Sequence, residues 1–370
     1  FGFFFFTGIV ALSAIVNGWL ALRPVLFWLT MIEPFILLRL VSDLDDDSRS
    51  LLRSVLLILA VLQLPFAYWQ FVTFGGSDPV QGTLIGLGMG AHVMTAISII
   101  GGLLFISLPH RRAIWMLLPV VLLLITVGIL ADAKQVYGAT MLSIIVVLVS
   151  MRRGRQLLRL APIVVVLGAI LLGAARYWQG FDRLTQADRI LGYAEVKAEA
   201  VRLAVDKMSI ARILVGVGPG NGVSRVSFLN ITVGEAKYGR VPSSIAGDQH
   251  SDLTLSMFFQ MGSDRSSADS LISSWLGIFS DIGLIGLLAY LALARWVWAY
   301  SSDLYGIPLS IARFLCIFAT ILGFVFSWLE EPAFTLFLVA AIGALPRTQE
   351  QQSRDRLPSL KSRRRGHSDT

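Results

Sequence analysis

The chain has 370 residues, of which 55% are hydrophobic and only 15% are charged, with a formal net charge of +7 and a mean hydropathy of +0.71. Soluble domains carry roughly 25% charged residues, so this composition excludes a soluble enzyme and a disordered protein. One cysteine, Cys316, allows no internal disulfide and excludes a disulfide scaffold. Apolar runs long enough to cross a bilayer instead predict an all-α polytopic membrane protein.

Ten apolar segments approach the length of about 20 residues that a spanning helix needs. In chain order they are predicted at 2–16, 19–40, 51–72, 83–108, 113–131, 136–150, 157–175, 271–299, 307–328 and 333–346. Asp132 and Lys134 separate the fifth segment from the sixth and predict a tight turn there, because an unpaired charge at mid-bilayer is costly. The sequence starts at Phe1 without an initiator Met or a basic signal-peptide region, so we expect native N-terminal residues to be missing.

Lysine and arginine are distributed unevenly between the short loops. The loops at 73–82 and 330–332 contain neither residue. Arginines are concentrated in the opposite loops, at 39–53, 111–112 and 152–159, and in the C-terminal tail. Short cytoplasmic loops carry the excess of basic residues, so the tail is predicted to be cytoplasmic. The chain then divides into an N-terminal helix bundle, one large outward-facing loop, a C-terminal helix bundle and a basic tail, with the ranges 1–175, 176–270, 271–346 and 347–370.

The outward loop contains a predicted helix followed by a glycine cluster. Apolar residues recur at helical spacing from Thr185 to Val215. The glycine cluster, Val215–Gly222, is not followed by the Gly-Lys-Ser/Thr of a Walker loop. It also differs from a Rossmann loop, because Pro219 lacks a backbone N–H that such a loop would use. Two interpretations stay open: a sharp turn that ends the helix, or backbone that passes close to a bulky ligand such as a pyrophosphate lipid. In the second interpretation the ligand-binding residues are Gly216, Gly218 and Gly220.

Charged residues in or near the apolar segments are candidates for binding. Lys134 either caps a helix by snorkelling to the interface or binds a phosphate with Asp132 beside it. Arg23 and Glu33 lie in one predicted helix, about 15 Å apart along its axis, so they cannot pair directly. Intramembrane charges are functional candidates by default, with an ion pair to another helix as the structural alternative.

Four further residues have both a functional and a structural interpretation. Glu330 and Glu331 could orient a basic group or simply be solvated. His92, in an apolar glycine-rich helix, is expected to be a packing residue rather than a ligand. His250 could be a general base or a solvated loop residue. The sequence contains no spacing typical of a metal site, so no metal is predicted.

Two motifs and the topology carry a likeness to a known family. The segment Ile213–Gly220 resembles a glycine-rich turn, and Trp275–Leu288 resembles a return helix with a Gly–apolar–apolar–Gly core. In the topology, a large outward loop lies late in the chain. The return helix follows this loop, and two further helices follow the return helix. Together these features resemble the O-antigen ligase and O-antigen polymerase superfamily. Lys134 stands where the family has an arginine, and Ile272 stands near the place of the family's histidine. Either His250 takes the role of that histidine, or this subgroup works differently.

The resemblance implies transfer of a glycan from a polyprenyl-pyrophosphate carrier to an acceptor glycan or lipid, without a metal or other cofactor. The protein would then act on the outer face of the bacterial inner membrane. Its partners would be the lipid-linked donor, the acceptor, membrane lipids and other polysaccharide assembly proteins, with no nucleic acid. The alternatives are a secondary transporter or channel, and a non-catalytic subunit of an envelope polysaccharide complex.

This reaction assigns roles to the candidate residues. Cations would stabilise the leaving pyrophosphate, and a base would activate the acceptor hydroxyl. The predicted catalytic residues are Lys134, Arg189 and His250, with Asp248 as an alternative base. Arg183 and Arg189 could equally form salt bridges on a solvated helix face. The predicted substrate-binding residues are Arg23, Asp132, Arg176, Arg183 and the three loop glycines.

Overall fold

The computed structural model describes residues 2–18, 22–75, 79–84, 89–108, 111–150, 187–228 and 273–347. Over these ranges the chain is helical, and no β-strand is present in them. The helices are α1 (Gly2–Val16), α2 (Arg23–Ser42), α3 (Asp46–Phe74), α4 (Met89–Ile106), α5 (Arg111–Leu130), α6 (Lys134–Ser150), α7 (Ala187–Lys207), α8 (Ile210–Val215), α9 (Arg225–Phe228), α10 (Ser274–Ser301), α11 (Ile307–Val325) and α12 (Pro332–Gly343). A single 3₁₀ turn, Trp328–Glu330, connects α11 to α12.

Local sequence signals account for several helix ends. Asp45 precedes α3, and its carboxylate accepts the Ser48 N–H at 2.9 Å, which satisfies a free donor of the first turn. Gly75 follows α3 with a φ of 82°, the left-handed conformation in which helices commonly stop at glycine. Prolines begin α11 and α12, where the missing N–H costs nothing.

The apolar segments predicted from the sequence correspond to helices wherever the structure describes them. The turn predicted between the fifth and sixth segments is also present, because Ala131, Asp132 and Ala133 separate α5 from α6 and Asp132 has a φ of 53°. The predicted loop helix is α7, which ends before the shorter α8. The segment at 157–175 lies outside the described residues.

The protein is a helical membrane protein. By length and composition α2, α3, α10 and α11 are apolar enough to cross a membrane. Large apolar side chains lie on their outer surface: Leu51 and Val72 of α3 are 67% and 66% exposed. Such residues would be unfavourable in water and are favourable in lipid. Over the residues that the structure describes in full, the apolar stretches of α1, α4, α5, α6 and α12 are shorter, with 10–17 residues each.

The helix α12 is shorter than the hydrocarbon core of a bilayer and starts deep in the bundle. Its 12 residues rise only about 18 Å, well below the ~30 Å of a hydrocarbon core. Gly343 packs so tightly on Val41 that a Cβ atom on Gly343 would overlap the Val41 side chain. The last turn of α12 therefore lies level with the end of α2. Glu331, at the start of α12, therefore lies level with the middle of α2. The segment predicted at 333–346 is helical from Pro332 to Gly343, and its role as a spanning helix stays a prediction.

Candidate functional site

The helix α10 is broken at Gly283, whose φ of 69° is not helical. A break leaves carbonyl groups without their helical donors, and in a membrane protein these need other partners. The Ser280 carbonyl accepts the Val217 N–H at 2.9 Å, and the Asp281 carbonyl accepts the Gly218 N–H at 3.1 Å. The loop Gly216–Ser224, here called the glycine loop, thus replaces the hydrogen bonds that the break removes.

The glycine loop and the broken helix pack backbone against backbone. Gly216 has a φ of 81°, and a Cβ there would overlap the Asp281 carbonyl. A Cβ on Gly283 would overlap the backbone of Leu214. Glycine is required at both positions because the left-handed φ and the contact each disfavour a side chain.

Asp281 anchors the loop from inside. Its side chain is fully buried, and its carboxylate accepts the Gly220 N–H at 2.6 Å, the Gly222 N–H at 2.7 Å and the Ser224 hydroxyl at 2.6 Å. Successive backbone N–H groups form a concavity suited to an anion. Here an aspartate of the same chain occupies that concavity.

Arg23 holds the other side of the glycine loop. Its side chain is 1% exposed, and Nη1 donates to the Asn221 side-chain oxygen at 2.6 Å and to the Gly220 carbonyl at 3.4 Å. The structure thus brings Arg23 together with Gly220. A contact of Arg23 or of the three loop glycines with a substrate stays a prediction, since their described contacts are with protein.

Arg225 follows the glycine loop and is held by two carboxylates. Its N–H donates to Glu330, and its guanidinium forms an ion pair with Glu331. The Arg225 side chain is 31% exposed, whereas Glu330 is 1% exposed. The interpretation that the two glutamates orient a basic group is confirmed, and that of a solvated Glu330 is wrong. The result is a fixed, partly open cation at the junction of the loop with the helices.

Burial has an electrostatic effect on Glu330. Loss of solvent, followed by repulsion from Asp281, raises the pKa of the Glu330 carboxyl well above its ordinary value. The hydrogen bond from Arg225 opposes that shift without cancelling it. Glu330 therefore orients Arg225 from a position closed to solvent.

Glu33 on α2 lies close enough to Glu331 for the two carboxylates to repel each other. Glu33 is half-buried, and its Oε1 is enclosed without a hydrogen-bond partner. No described residue forms an ion pair with Glu33, so within these ranges the structural alternative of a partner on another helix is not realised.

His92 is a packing residue, as expected. It is 6% exposed and stacks on Phe326, with ring centroids 5.5 Å apart and an interplanar angle of 26°. Trp328 contacts both rings, with centroids 5.0 Å from Phe326 and 6.1 Å from His92. This aromatic stack supports the turn that precedes Glu330.

The other predicted site residues are placed only in part. Asp132 is half-buried in the turn between α5 and α6, and Lys134 is the first residue of α6. The side chains of Lys134 and Arg189 lie outside the described part of the chain, although the backbone of Arg189 belongs to α7. Outside the described residues altogether are Arg176, Arg183, Asp248 and His250.

Sequence reasoning missed Asp281 and Arg225 as site residues. For Asp281 a signal existed, since it is an ionisable residue within an apolar helix. For Arg225 none did, because its partners lie in a distant part of the chain. Within the described ranges, no group of three or more His, Cys, Asp or Glu residues is arranged to hold a metal ion.

No family model, curated protein or solved structure matches this chain. Its function is therefore inferred from the chemistry of the site around Arg225.

Proposed function

We propose that this protein transfers a glycan from a polyprenyl-pyrophosphate carrier to a hydroxyl of an acceptor glycan or lipid. The observation that carries the proposal is Arg225, a partly exposed guanidinium fixed by Glu330 and Glu331 where the glycine loop meets the membrane helices. A pyrophosphate leaving group develops negative charge, and a cation already in place stabilises that charge without reorganisation. A guanidinium can bind phosphate oxygens in a bidentate manner.

The level of the site in the bundle supports a lipid-linked donor. The short α12 starts level with the middle of α2, and Arg225 is paired there with Glu331. A phosphate attached to a membrane lipid would reach Arg225 from the bilayer. A soluble nucleotide sugar is not confined to the bilayer and would not require a site at this depth. We place this side on the outer face of the bacterial inner membrane and the C-terminal tail in the cytoplasm.

The transfer step requires one displacement. The acceptor oxygen attacks the anomeric carbon, the bond from that carbon to the pyrophosphate oxygen breaks, and the electron pair leaves with the pyrophosphate. Arg225 neutralises that charge. The basic residues Lys134, Arg176, Arg183 and Arg189 are candidates for further phosphate contacts, and His250 or Asp248 was the base predicted from the sequence.

A secondary transporter is the second candidate, because the break in α10 is a feature of transporter helices that surround a substrate. In transporters the carbonyls at such a break coordinate an ion. Here the carbonyls of Ser280 and Asp281 bond to the glycine loop instead. The closed break favours glycosyl transfer.

Purified protein in liposomes that contain a lipid-linked glycan donor and an acceptor tests the proposal. Arg225→Ala should lower the transfer rate about 100-fold or more, the effect typical of removing a donor to a developing oxyanion. Arg225→Lys should recover part of the rate, since it keeps the charge but not the bidentate geometry.

The matched control is Arg202→Ala. Arg202 is 73% exposed on α7 and pairs only with exposed Glu199 and Asp206 in the ion pairs seen here, so its loss should leave the rate unchanged. Wild-type protein that transports a solute without ever consuming the donor would overturn the proposal.

A further inference from the structure

Glu33 is a charged residue close to Glu331, and the proposed reaction assigns it no role. It lies in the apolar helix α2, where an ionisable side chain is energetically costly. Its Oε1 is enclosed by the protein and accepts no hydrogen bond from any described residue. A buried acceptor without a donor is unfavourable, so the structure retains Glu33 at a cost in stability.

The charges around Glu33 can be assigned element by element. Glu331, at the start of α12, is the carboxylate that Glu33 faces, and it is neutralised by Arg225 of α9. Glu330 of the 3₁₀ turn is bonded to the Arg225 N–H, and Asp281 of α10 is bonded to the glycine loop. The remaining neighbour, α1, carries no titratable side chain.

These pairings leave the four carboxylates with different capacities to accept a hydrogen bond from a ligand. Asp281, Glu330 and Glu331 each already accept a hydrogen bond or an ion pair from the protein, whereas Glu33 accepts neither from a described residue. Glu330 also has an enclosed Oε1 without a partner, but that residue is 1% exposed, whereas Glu33 is only half-buried, so its carboxylate oxygen other than Oε1 is the one open to a ligand. A hydroxyl group is the ligand chemistry that such an oxygen recognises.

We propose that Glu33 binds the acceptor hydroxyl and takes its proton during transfer. This inference rests on the proposed function. The acceptor O–H bond breaks as its proton moves to a Glu33 carboxylate oxygen, and the acceptor oxygen forms the new bond to the anomeric carbon. The bond from that carbon to the pyrophosphate breaks, and the negative charge that Glu33 loses appears on the pyrophosphate beside Arg225. Atoms and charge balance with the donor and the acceptor alone, without a metal, an oxidant or a further reactant.

Arg225 and Glu33 then have separate tasks. Arg225 contacts the donor, so its removal should weaken donor binding as well as transfer. Glu33 contacts only the acceptor, so its removal should leave donor binding intact. General acid–base catalysis typically contributes 100- to 10,000-fold to a rate, which sets the loss that Glu33→Gln should produce.

The experiment measures donor affinity, transfer rate and its pH dependence in liposomes for wild type and for Glu33→Gln. We expect Glu33→Gln to bind the lipid-linked donor as wild type does, to transfer about 100- to 10,000-fold more slowly, and to lose the rise of rate with pH that titration of a base produces. Glu33→Asp, which keeps the carboxylate on a shorter side chain, should recover part of the rate and the pH-dependent rise.

Asp303→Asn is the matched control, because it makes the same change of carboxylate to amide at an exposed position between α10 and α11. Its rate and pH profile should equal those of wild type. Thermal unfolding of each variant in detergent separates a loss of fold from a loss of chemistry. If Glu33→Gln does not fold, the transfer rate of Glu33→Asp decides the question, because the shorter side chain moves the carboxylate away from the acceptor.

The outcomes separate this inference from the function on which it rests. A folded Glu33→Gln protein with the wild-type rate and pH profile overturns the role of Glu33 and leaves glycosyl transfer standing. If that variant is unstable, a folded Glu33→Asp protein with the full wild-type rate does the same, because a positioned base should not tolerate the shorter side chain. Wild-type protein that never consumes the donor overturns both. Donor affinity lost together with the rate in Glu33→Gln would also contradict the assignment, since it would place Glu33 at the donor.

Discussion

Arg49 illustrates how a single buried cation organises the end of the bundle away from the glycine loop. It is 2% exposed, and Nη1 donates to the Tyr300 hydroxyl at 2.9 Å and to the Gly343 carbonyl at 2.7 Å. Nε donates to the Leu44 carbonyl at 2.9 Å, and Nη2 donates to the Ser42 carbonyl at 2.7 Å. Its acceptors include carbonyls at the C-terminal ends of α2 and α12, where the helix dipole is negative.

Arg49→Lys should therefore destabilise the protein. Lysine keeps the charge but has one ammonium in place of the planar fork, so some of these carbonyls would lose their donor. Each buried acceptor left without a partner costs about 1–3 kcal/mol, and we expect a loss of that size in thermal unfolding in detergent. Arg39→Lys is the control, because Arg39 is 68% exposed and its ion pair with Asp43 should contribute little. Equal unfolding of the two variants would contradict the role of Arg49.

Glu330 predicts a pH dependence of stability. Burial and then repulsion from Asp281 raise its pKa in the folded protein, so folding favours the protonated form. Its contribution is present in full below the pKa of the unfolded chain and is lost as the pH rises through the higher pKa of the folded state. Glu331 and Tyr290 also face Glu330 and add no compensating positive charge.

Glu330→Gln removes the charge and keeps an oxygen that accepts the Arg225 N–H. The variant should gain stability relative to wild type as the pH rises from about 5 to about 8, because the ionised carboxylate is then absent. Thermal unfolding across this range measures the difference. Parallel curves for the two proteins would show that Glu330 does not titrate in the folded state as its burial requires.

At the scale of elements, the joint between the glycine loop and α10 determines where the site lies. The break in α10 frees carbonyls, the loop provides N–H groups, and Asp281 provides the anion that holds the loop in place. Each part satisfies polar groups that the other leaves without partners, which matters most where water is excluded. Arg225 has its position because the loop enters α9 directly from this joint.

Gly283→Ala should disrupt the joint. A left-handed φ costs a non-glycine residue roughly 1–2 kcal/mol, and the added Cβ would also overlap the backbone of Leu214. We expect a lower unfolding temperature and faster proteolytic cleavage in the glycine loop. Gly8→Ala in α1 is the control, because a Cβ there has nothing within 4 Å. A glycine loop that resists cleavage in both variants to the same extent would mean that the joint does not hold it.

At the scale of the whole molecule, charged side chains gather at two levels of the bundle. Arg49 and Arg347 lie at the ends of α2 and α12, where Arg347 donates to the Ser42 carbonyl at 3.4 Å and stands 5.8 Å over the Tyr300 ring. Arg23 and Arg225 lie with the glycine loop. Between these levels the helices present apolar side chains, as a membrane protein requires. The orientation predicted from the arginine-rich loops places the first group on the cytoplasmic side.

Labelling of single cysteines tests that orientation. In a Cys316→Ser background, Glu199→Cys on the exposed face of α7 should react with a membrane-impermeant maleimide on intact spheroplasts. Ser362→Cys in the basic tail should react only after the membrane is opened. The reverse pattern would invert the topology and remove the outward placement of the site.

The sequence allowed the helices to be predicted but only part of the site. Apolar runs and turn residues act locally, so the helix positions, the turn at Asp132 and the packing role of His92 could be inferred without the fold. The orienting role of Glu330 and Glu331 was one of two open interpretations. The position of Arg225 could not be inferred, because its two partners lie beyond the large loop and are brought to it by packing.

The sequence by itself determined that this is a helical membrane protein with scarce and unevenly distributed charge, because hydropathy is a property of each segment separately. Only the tertiary structure decided that α10 breaks at Gly283, that α12 starts level with the middle of α2, and that Asp281 holds the glycine loop. The physical reason is that buried polar groups must be satisfied wherever a partner can be found. Those partners are distant in sequence and become neighbours only when the helices pack.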